Sequence, residues 1–240
     1  MFEKKNYKLV GESSLLISPV TLGTMTFGEQ NTEAEAHEQL DFAFSKGVNF
    51  IDTAEMYSVP GRKETQGNSE RYIGNWLQHQ KRDKLVIATK ITGPNPGLSY
   101  IRRNMDFSKA SILEALENNL KRLKTDYIDL YQLHWPERKA NFFGQRGYKR
   151  QDDAWEDNIH EVLTTLEGFV QQGKIKHIGL SNETPWGLMR FIEEHKYHNL
   201  PKIKTVQNPY SLLNRSFEVG NAEVCLRENI GLLAYSPMAF

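Results

Sequence analysis

Seven short apolar runs recur along this chain, and all but the last are followed by a loop and an amphipathic helical stretch. The runs cover residues 20–23, 48–52, 85–90, 127–134, 175–181, 203–207 and 230–235. Those at 48–52 and 85–90 are short and rich in β-branched residues, which suits strands buried on both faces. The run at 127–134 alternates more but has a similar length. Helical periodicity fills the gaps. Thr32 with Glu35 forms a capping box ahead of Ala36, Leu40, Ala43 and Phe44. A second helix begins near Ser69, and a third at Ser108 places Ile112, Leu113, Leu116, Leu120 and Leu123 on one face. Further helices are expected over 159–172, 184–195 and 217–228. Strands alternating with helices predict βαβ units and a parallel sheet, with seven strands and six intervening helices.

Composition narrows the class. At 240 residues the chain suits one α/β unit with a large core. Thirty basic side chains balance thirty acidic ones, so electrostatics argues for neither nucleic acid nor an anionic membrane as partner. The single cysteine, Cys225, excludes an internal disulfide framework and fits a reducing compartment. The opening Met1-Phe2-Glu3-Lys4-Lys5 leads into no apolar signal segment, and no run is long enough to span a bilayer. The expected location is the cytoplasm.

Ahead of the first unit, residues 7–17 read as a β-hairpin, Tyr7 to Val10 pairing with Leu15 to Ile17 across Gly11-Glu12-Ser13-Ser14. Two loops exceed ordinary connection lengths. Residues 56–68 are polar, with Pro60-Gly61 and Gly67. Residues 136–157 carry Phe142-Phe143, Tyr148 and Trp155 among Arg138, Lys139, Arg146, Lys149 and Arg150. Both follow runs that end in reactive residues, and the aromatic content favours a lid or specificity element over a decorated surface loop.

Chemistry gathers where the runs break off. Asp52, Lys90 and His134 stand at or just past the ends of three successive runs, and Tyr57 follows Asp52 by five positions. In an α/β barrel the C-terminal strand ends converge on one face, where catalysis is built. Singly, each has a plainer reading: Asp52 as a loop cap, Lys90 as a solvated strand end, Tyr57 as loop packing, His134 as a structural histidine. Asn182 and Gln207 are amides at later strand ends, suited to gripping another amide or to capping. His195 and His198 stand three apart with no third ligand in view, so no metal site is expected. Gly93-Pro94-Asn95-Pro96-Gly97 lacks the Lys and Ser/Thr of a phosphate-binding loop. Asn182-Glu183-Thr184 and Asn214-Arg215-Ser216 match a glycosylation pattern but lack a signal peptide to make it relevant.

Taken together, these pieces resemble the aldo-keto reductases, and within them a bacterial group related to potassium-channel β subunits. The resemblance rests on Thr21-Leu22-Gly23-Thr24-Met25, on Asn49 through Tyr57, on Ala88-Thr89-Lys90, and on Asp126 through Trp135. It continues through Lys174 to Asn182, Val206 to Tyr210, and Ala234 to Met238. It implies a (β/α)8 TIM barrel with an N-terminal hairpin, a single domain over 1–240, and NADP(H) as cofactor for reducing a small-molecule carbonyl. It also implies Tyr57 as general acid, Lys90 and Asp52 as its supporting pair, and His134 as the residue orienting the carbonyl. Ser181, Asn182 and Gln207 would hold the nicotinamide carboxamide, Tyr235 would stack on the ring, and Ser236 would lie near the pyrophosphate. Asp52, Thr24 and Met25 would border the cofactor cleft.

The family places its eighth strand, and its grip on the adenosine 2′-phosphate, after the segment where this chain ends. The expectation is therefore an incomplete barrel with weak adenosine binding, either aggregation-prone or closed by a partner, a homo-oligomer included. Two rivals to an active reductase follow: a cofactor-binding regulatory or redox-sensing subunit, and an inactive remnant.

The chemistry explains the residue types. Hydride reaching a carbonyl carbon leaves charge on oxygen, and a proton must meet it. A tyrosine with a reference pKa of about 10 is a weak acid, and a nearby lysine is expected to lower it. A desolvated lysine needs a carboxylate, which Asp52 supplies. His134 can donate to the developing oxyanion.

Overall fold

The computed structural model describes residues 2–143, 145, 147–149 and 154–238. A short antiparallel hairpin, β1 (Lys8–Leu9) and β2 (Leu16–Ile17), precedes the repeating units. Its turn passes through Gly11 at φ +51°, where an added Cβ would lie 2.6 Å from the Asn229 carbonyl oxygen. Only glycine meets both demands there.

The units follow in chain order. β3 (Leu22–Gly23) leads to α1 (Glu33–Ser45), β4 (Phe50–Asp52) to α2 (Asn68–Leu77), and β5 (Val86–Ile91) to α3 (Lys109–Leu123). β6 (Ile128–Leu133) leads to α4 (Ile159–Gln171), β7 (Ile175–Ser181) to α5 (Pro185–His198), and β8 (Thr205–Pro209) to α6 (Asn221–Arg227) before β9 (Gly231–Tyr235). The seven later strands form one parallel sheet in sequential order from β3 to β9. Each strand pairs with its sequence neighbours, and the connecting helices cover the outer face, the (β/α) barrel arrangement. Among the described residues β3 and β9 pair on one side only, and no eighth strand lies between them.

Alternation along the strands divides the apolar residues into two cores. Ile51, Ile87, Ile91, Tyr131, Leu133, Ile178, Leu180 and Val206 face outward into the helices. Phe50, Val86, Ala88 and Leu130 face inward, where Val10, Leu15 and Ile17 of the hairpin pack against them. The hairpin thus fills the N-terminal end of the inner space, and Ser14 reaches His177 on β7 at 2.9 Å. That leaves the C-terminal strand ends for the site.

Helix starts follow the sequence closely. Thr32 and Glu35 form the capping box, Ser108 caps α3, and Thr184 caps α5. Three expectations need correction. Phe44 and Leu113 are exposed at 38% and 37%, because the buried stripes of α1 and α3 are narrower than their periodicity. The helix expected over 217–228 is broken at Gly220: a short 3-10 turn, Ser216–Val219, precedes α6. No helix among the described residues is long and apolar enough to cross a membrane.

Candidate active site

The same alternation that buries Phe50, Val86, Ala88 and Leu130 inside carries Asp52, Lys90, Gln132 and His134 to the inner face one step further along. Asp52 lies opposite Ala88, and Lys90 opposite Gln132. Ser181 pairs with Gln207 on the next strands. Six polar side chains therefore ring one end of the sheet because their strands share a register.

Lys90 is the hub. Its side chain is fully buried, and Nζ donates to Asp52 Oδ2 at 2.6 Å, to the Thr53 carbonyl at 2.8 Å and to Tyr57 OH at 3.5 Å. The ammonium also lies 4.9 Å from the Tyr57 ring centroid. The second Asp52 oxygen, Oδ1, accepts from Gln132 Nε2 and Gln207 Nε2, both at 3.1 Å. Both oxygens of the acid thus accept hydrogen bonds, three in all, which helps make a buried ion pair tolerable. Burial disfavours the Lys90 cation, but Asp52 and Tyr57 outweigh it and hold its pKa above the ordinary lysine value.

Tyr57 sits on the loop after β4. Thr53 N–H donates to the Ala88 carbonyl at 2.9 Å and Glu55 N–H to the Lys90 carbonyl at 3.1 Å, so the loop continues the sheet before turning. The Glu55 carboxylate, buried, accepts from Thr92 N–H at 2.5 Å and from Arg102 Nε at 3.1 Å. Glu55 is two residues from Tyr57 and bonds a residue two beyond Lys90, so one carboxylate steadies both. Sequence reading missed Glu55, Arg102 and Gln132. Gln132 was findable, since it shares the inward parity of His134; Glu55 had only the oddity of an acid within an apolar loop.

The His134 ring lies edge-on to Tyr57, with centroids 5.7 Å apart. Burial, and then the Lys90 charge, pushes its pKa well below the ordinary imidazole value, so it is neutral. Its Nδ1 is buried without a hydrogen-bond partner among the described residues. An orphan of this kind costs about 1–3 kcal/mol, which a ligand atom can recover. The Tyr57 pKa corrects an expectation: burial raises it above the ordinary tyrosine value, and Lys90 offsets this only in part.

Ser181, Asn182, Gln207 and Tyr235 form a second group beside the first. Asn182 Nδ2 donates to the His134 carbonyl at 2.9 Å and to Ser181 Oγ at 3.1 Å, while its Oδ1 accepts from Tyr235 OH at 2.7 Å. Ser181 Oγ donates to the Gln207 carbonyl at 3.0 Å. Two carboxamides and a hydroxyl beside a half-buried phenol ring are a donor set that fits a flat ring bearing a carboxamide. Ser236 follows at φ +52°. Thr24 is fully buried, with its hydroxyl between the Asp52 carbonyl (3.0 Å) and Ser69 (2.7 Å), so it braces Asp52 from behind. Met25 contributes its carbonyl, which accepts from Val59 N–H at 2.9 Å.

From His134 an aromatic series runs outward: Trp135 at 5.0 Å, then Phe143 at 5.6 Å and Phe142 at 5.2 Å between centroids. The loop 136–157 is anchored at both ends. Arg138 bonds Glu183 and lies over the Trp186 ring, and Trp155 meets Trp186 edge-on. Tyr148 is exposed, and Arg146 and Arg150 lie outside the described residues. A cavity of about 20 Å³ behind this loop, lined by Trp135, Trp155, Leu180 and Phe191, holds no more than a water and lies in the helix–sheet layer.

The sequence matches a known family. Residues 19–240 match the Aldo/keto reductase family. The chain belongs to that family. It is 52% identical over 236 residues to Protein tas of Escherichia coli (strain K12), covering 98% of this chain and 68% of that protein. It is 34% identical over 239 residues to the uncharacterized oxidoreductase YrpG of Bacillus subtilis (strain 168), covering 97% of this chain and 66% of that one. Among solved structures, the thermostable aldo-keto reductase Tm1743 in complex with the inhibitor epalrestat superposes with a TM-score of 0.75 at 29% identity. That match covers 97% of this chain and 73% of Tm1743. This aldo-keto reductase chain is accordingly an oxidoreductase built on the barrel fold.

Proposed function

We propose that this chain reduces aldehyde or ketone carbonyls to alcohols in the cytoplasm, with NADP(H) as hydride source and Tyr57 as proton donor. The observation that carries the reading is the buried hub in which one lysine Nζ meets Asp52 Oδ2 at 2.6 Å and Tyr57 OH at 3.5 Å beside His134. When bound, the nicotinamide supplies the hydride and the two electrons that go with it.

The chain supplies the rest. Asp52 keeps Lys90 charged where water is excluded, and the Lys90 cation favours negative charge on the Tyr57 oxygen as its proton leaves. The carbonyl carbon gains hydride, its oxygen gains the Tyr57 proton, and solvent returns a proton to Tyr57. Neutral His134, whose Nδ1 has no hydrogen-bond partner among the described residues, would position the carbonyl oxygen near Tyr57 and stabilise the developing charge. Asn182, Gln207 and Ser181 would hold the carboxamide, and the Tyr235 ring would pack on the nicotinamide. Because the amides of Asn182 and Gln207 already serve Asp52, His134 and Tyr235, seating the cofactor would couple to the proton-transfer group. The aromatic wall of Trp135 and Phe143 suits a substrate with a flat apolar body beside its carbonyl.

The test is stoichiometric. Incubated with NADPH and a panel of aromatic and aliphatic aldehydes, the chain is expected to form alcohol and NADP+ in equal amounts, fastest with aromatic members. NADPH that binds but is never consumed with any member would contradict the reading and favour a cofactor-sensing subunit.

A further inference from the structure

Helices α4 and α5 pack together outside β7 and bring His160, Glu194 and His198 into one cluster, none of which belongs to the Lys90 hub. His160 Nδ1 lies 2.7 Å from Glu194 Oε2, and His198 Nε2 lies 3.8 Å from the same oxygen. One ligand atom from each of the three residues falls within 4.8 Å of the other two. Glu194 and His198 are one helical turn apart on α5 and share a face, while His160 reaches across from the first turn of α4. From sequence only His195 and His198 looked paired. His195 instead uses Nδ1 on the Leu200 carbonyl at 2.7 Å, and the missing partner lies 34 residues upstream of Glu194.

We propose that His160, Glu194 and His198 form a binding site for a divalent transition metal, zinc by preference, that clasps α4 to α5. Two imidazoles and a carboxylate are a zinc donor set, and three protein ligands leave a fourth position for water. Bonds of about 2.0–2.2 Å in tetrahedral geometry put neighbouring donors roughly 3.3–3.5 Å apart. The observed separations of 2.7 and 3.8 Å straddle that spacing. Small rotations of the two imidazoles, which are about half exposed (47% and 53%), would satisfy it.

Glu194 itself is buried and already oriented. Its Oε1 accepts from Arg190 Nη2 at 2.6 Å, and Arg190 Nε donates in turn to Asp157 at 2.7 Å. This outer contact fixes the carboxylate and leaves Oε2 as the oxygen both imidazoles share. Calcium and magnesium fit poorly, since they prefer more oxygen ligands than the cluster offers. The nearby Arg190 charge opposes the ion, so micromolar rather than tighter affinity is expected.

The test is calorimetric titration of the untagged chain with zinc chloride, with thermal unfolding followed in parallel. One equivalent binding at micromolar Kd, with a rise in Tm that saturates with occupancy, is expected. His160→Ala and His198→Ala should each weaken binding at least tenfold, while His195→Ala should not. A second measurement uses the unaltered chain: zinc should shield His160 and His198 from diethyl pyrocarbonate and leave exposed His79 reactive. No zinc binding, binding that survives both variants, or equal reactivity of His160 and His198 with and without zinc would overturn the proposal.

Discussion

The middle and the flanks of the sheet are built differently. β5 and β6 are six residues long, wholly buried and paired on both sides. β3 has two residues, with Gly23 exposed, and β9 is mostly half-buried; among the described residues each is paired on one side only. Lys90 and His134 stand at the ends of the middle strands, and Asp52 and Tyr57 lie immediately beside them. Tyr235, Ser236, Thr24 and Met25 belong to the flanks. Proton transfer needs groups fixed to fractions of an ångström, and the middle supplies that rigidity. In the proposed reading the cofactor would pack against the flank at Tyr235, which is half-buried.

The largest effect should come from the hub. Lys90→Met leaves Asp52 buried without its cation, so a loss of about 3–5 kcal/mol in stability is expected, with reductase activity abolished. Denaturant unfolding checks the first part; a variant as stable as the parent would show that the pair is not buried in solution.

Packing should grade in the same direction. Ile87→Ala on β5 empties a fully buried site between sheet and helices and should cost about 2–5 kcal/mol. Leu232→Ala on β9 removes a half-buried side chain and should cost only about 1 kcal/mol. Equal losses in urea melts would erase the distinction between middle and flank.

At the flank, Tyr235→Ala removes the phenol that donates to Asn182 and the ring proposed to cover nicotinamide. NADPH affinity should fall by about 1 kcal/mol, roughly fivefold. Fluorescence titration reads this directly, and unchanged affinity would remove Tyr235 from the cofactor site.

The smallest effect expected is that of pH. Burial holds Tyr57 above its ordinary value, so it stays protonated, the form carbonyl reduction needs, at any pH below about 10. His134 is held well below its ordinary value, so it stays neutral down to pH 6.5 and beyond. The rate of reduction is therefore expected to be level from about pH 7 to 9. The reverse reaction, which needs the Tyr57 phenolate, should instead rise with pH. A fall in reduction centred between pH 7 and 8 would mean that Lys90 outweighs burial.

How much of this could be read from the chain follows the same division. The ends of β4 to β7 were legible because buried strands show as short apolar runs, and a polar residue breaking such a run marks the end. Asp52 and Ser181 were placed this way. The hairpin was legible as two strands, but its seat inside the sheet was not, since that depends on inward-facing Phe50, Val86 and Leu130 contributed by distant strands. Phe44 was misplaced because it stands at the end of α1, where it stays 38% exposed and meets Trp76 of α2 edge-on at 6.2 Å between centroids. Gly220 carried the signal for the broken helix, and the apolar spacing around it concealed this. The raised pKa of Tyr57 was out of reach because sequence gives the neighbouring lysine but not the burial of the loop. In the His160–Glu194–His198 cluster, Glu194 and His198 share the i, i+4 spacing of α5, but His160 comes from α4 and leaves no footprint in that local spacing.

The proposal turns on Tyr57 donating the proton while taking no part in holding the cofactor. The most direct test is Tyr57→Phe, measured twice on the same preparation: turnover of an aldehyde the parent reduces, and NADPH affinity by fluorescence. Turnover should fall by about 10²–10⁴-fold while the Kd for NADPH stays within roughly twofold. Turnover near that of the parent would contradict the account, and so would a loss of activity matched by an equal loss of cofactor binding.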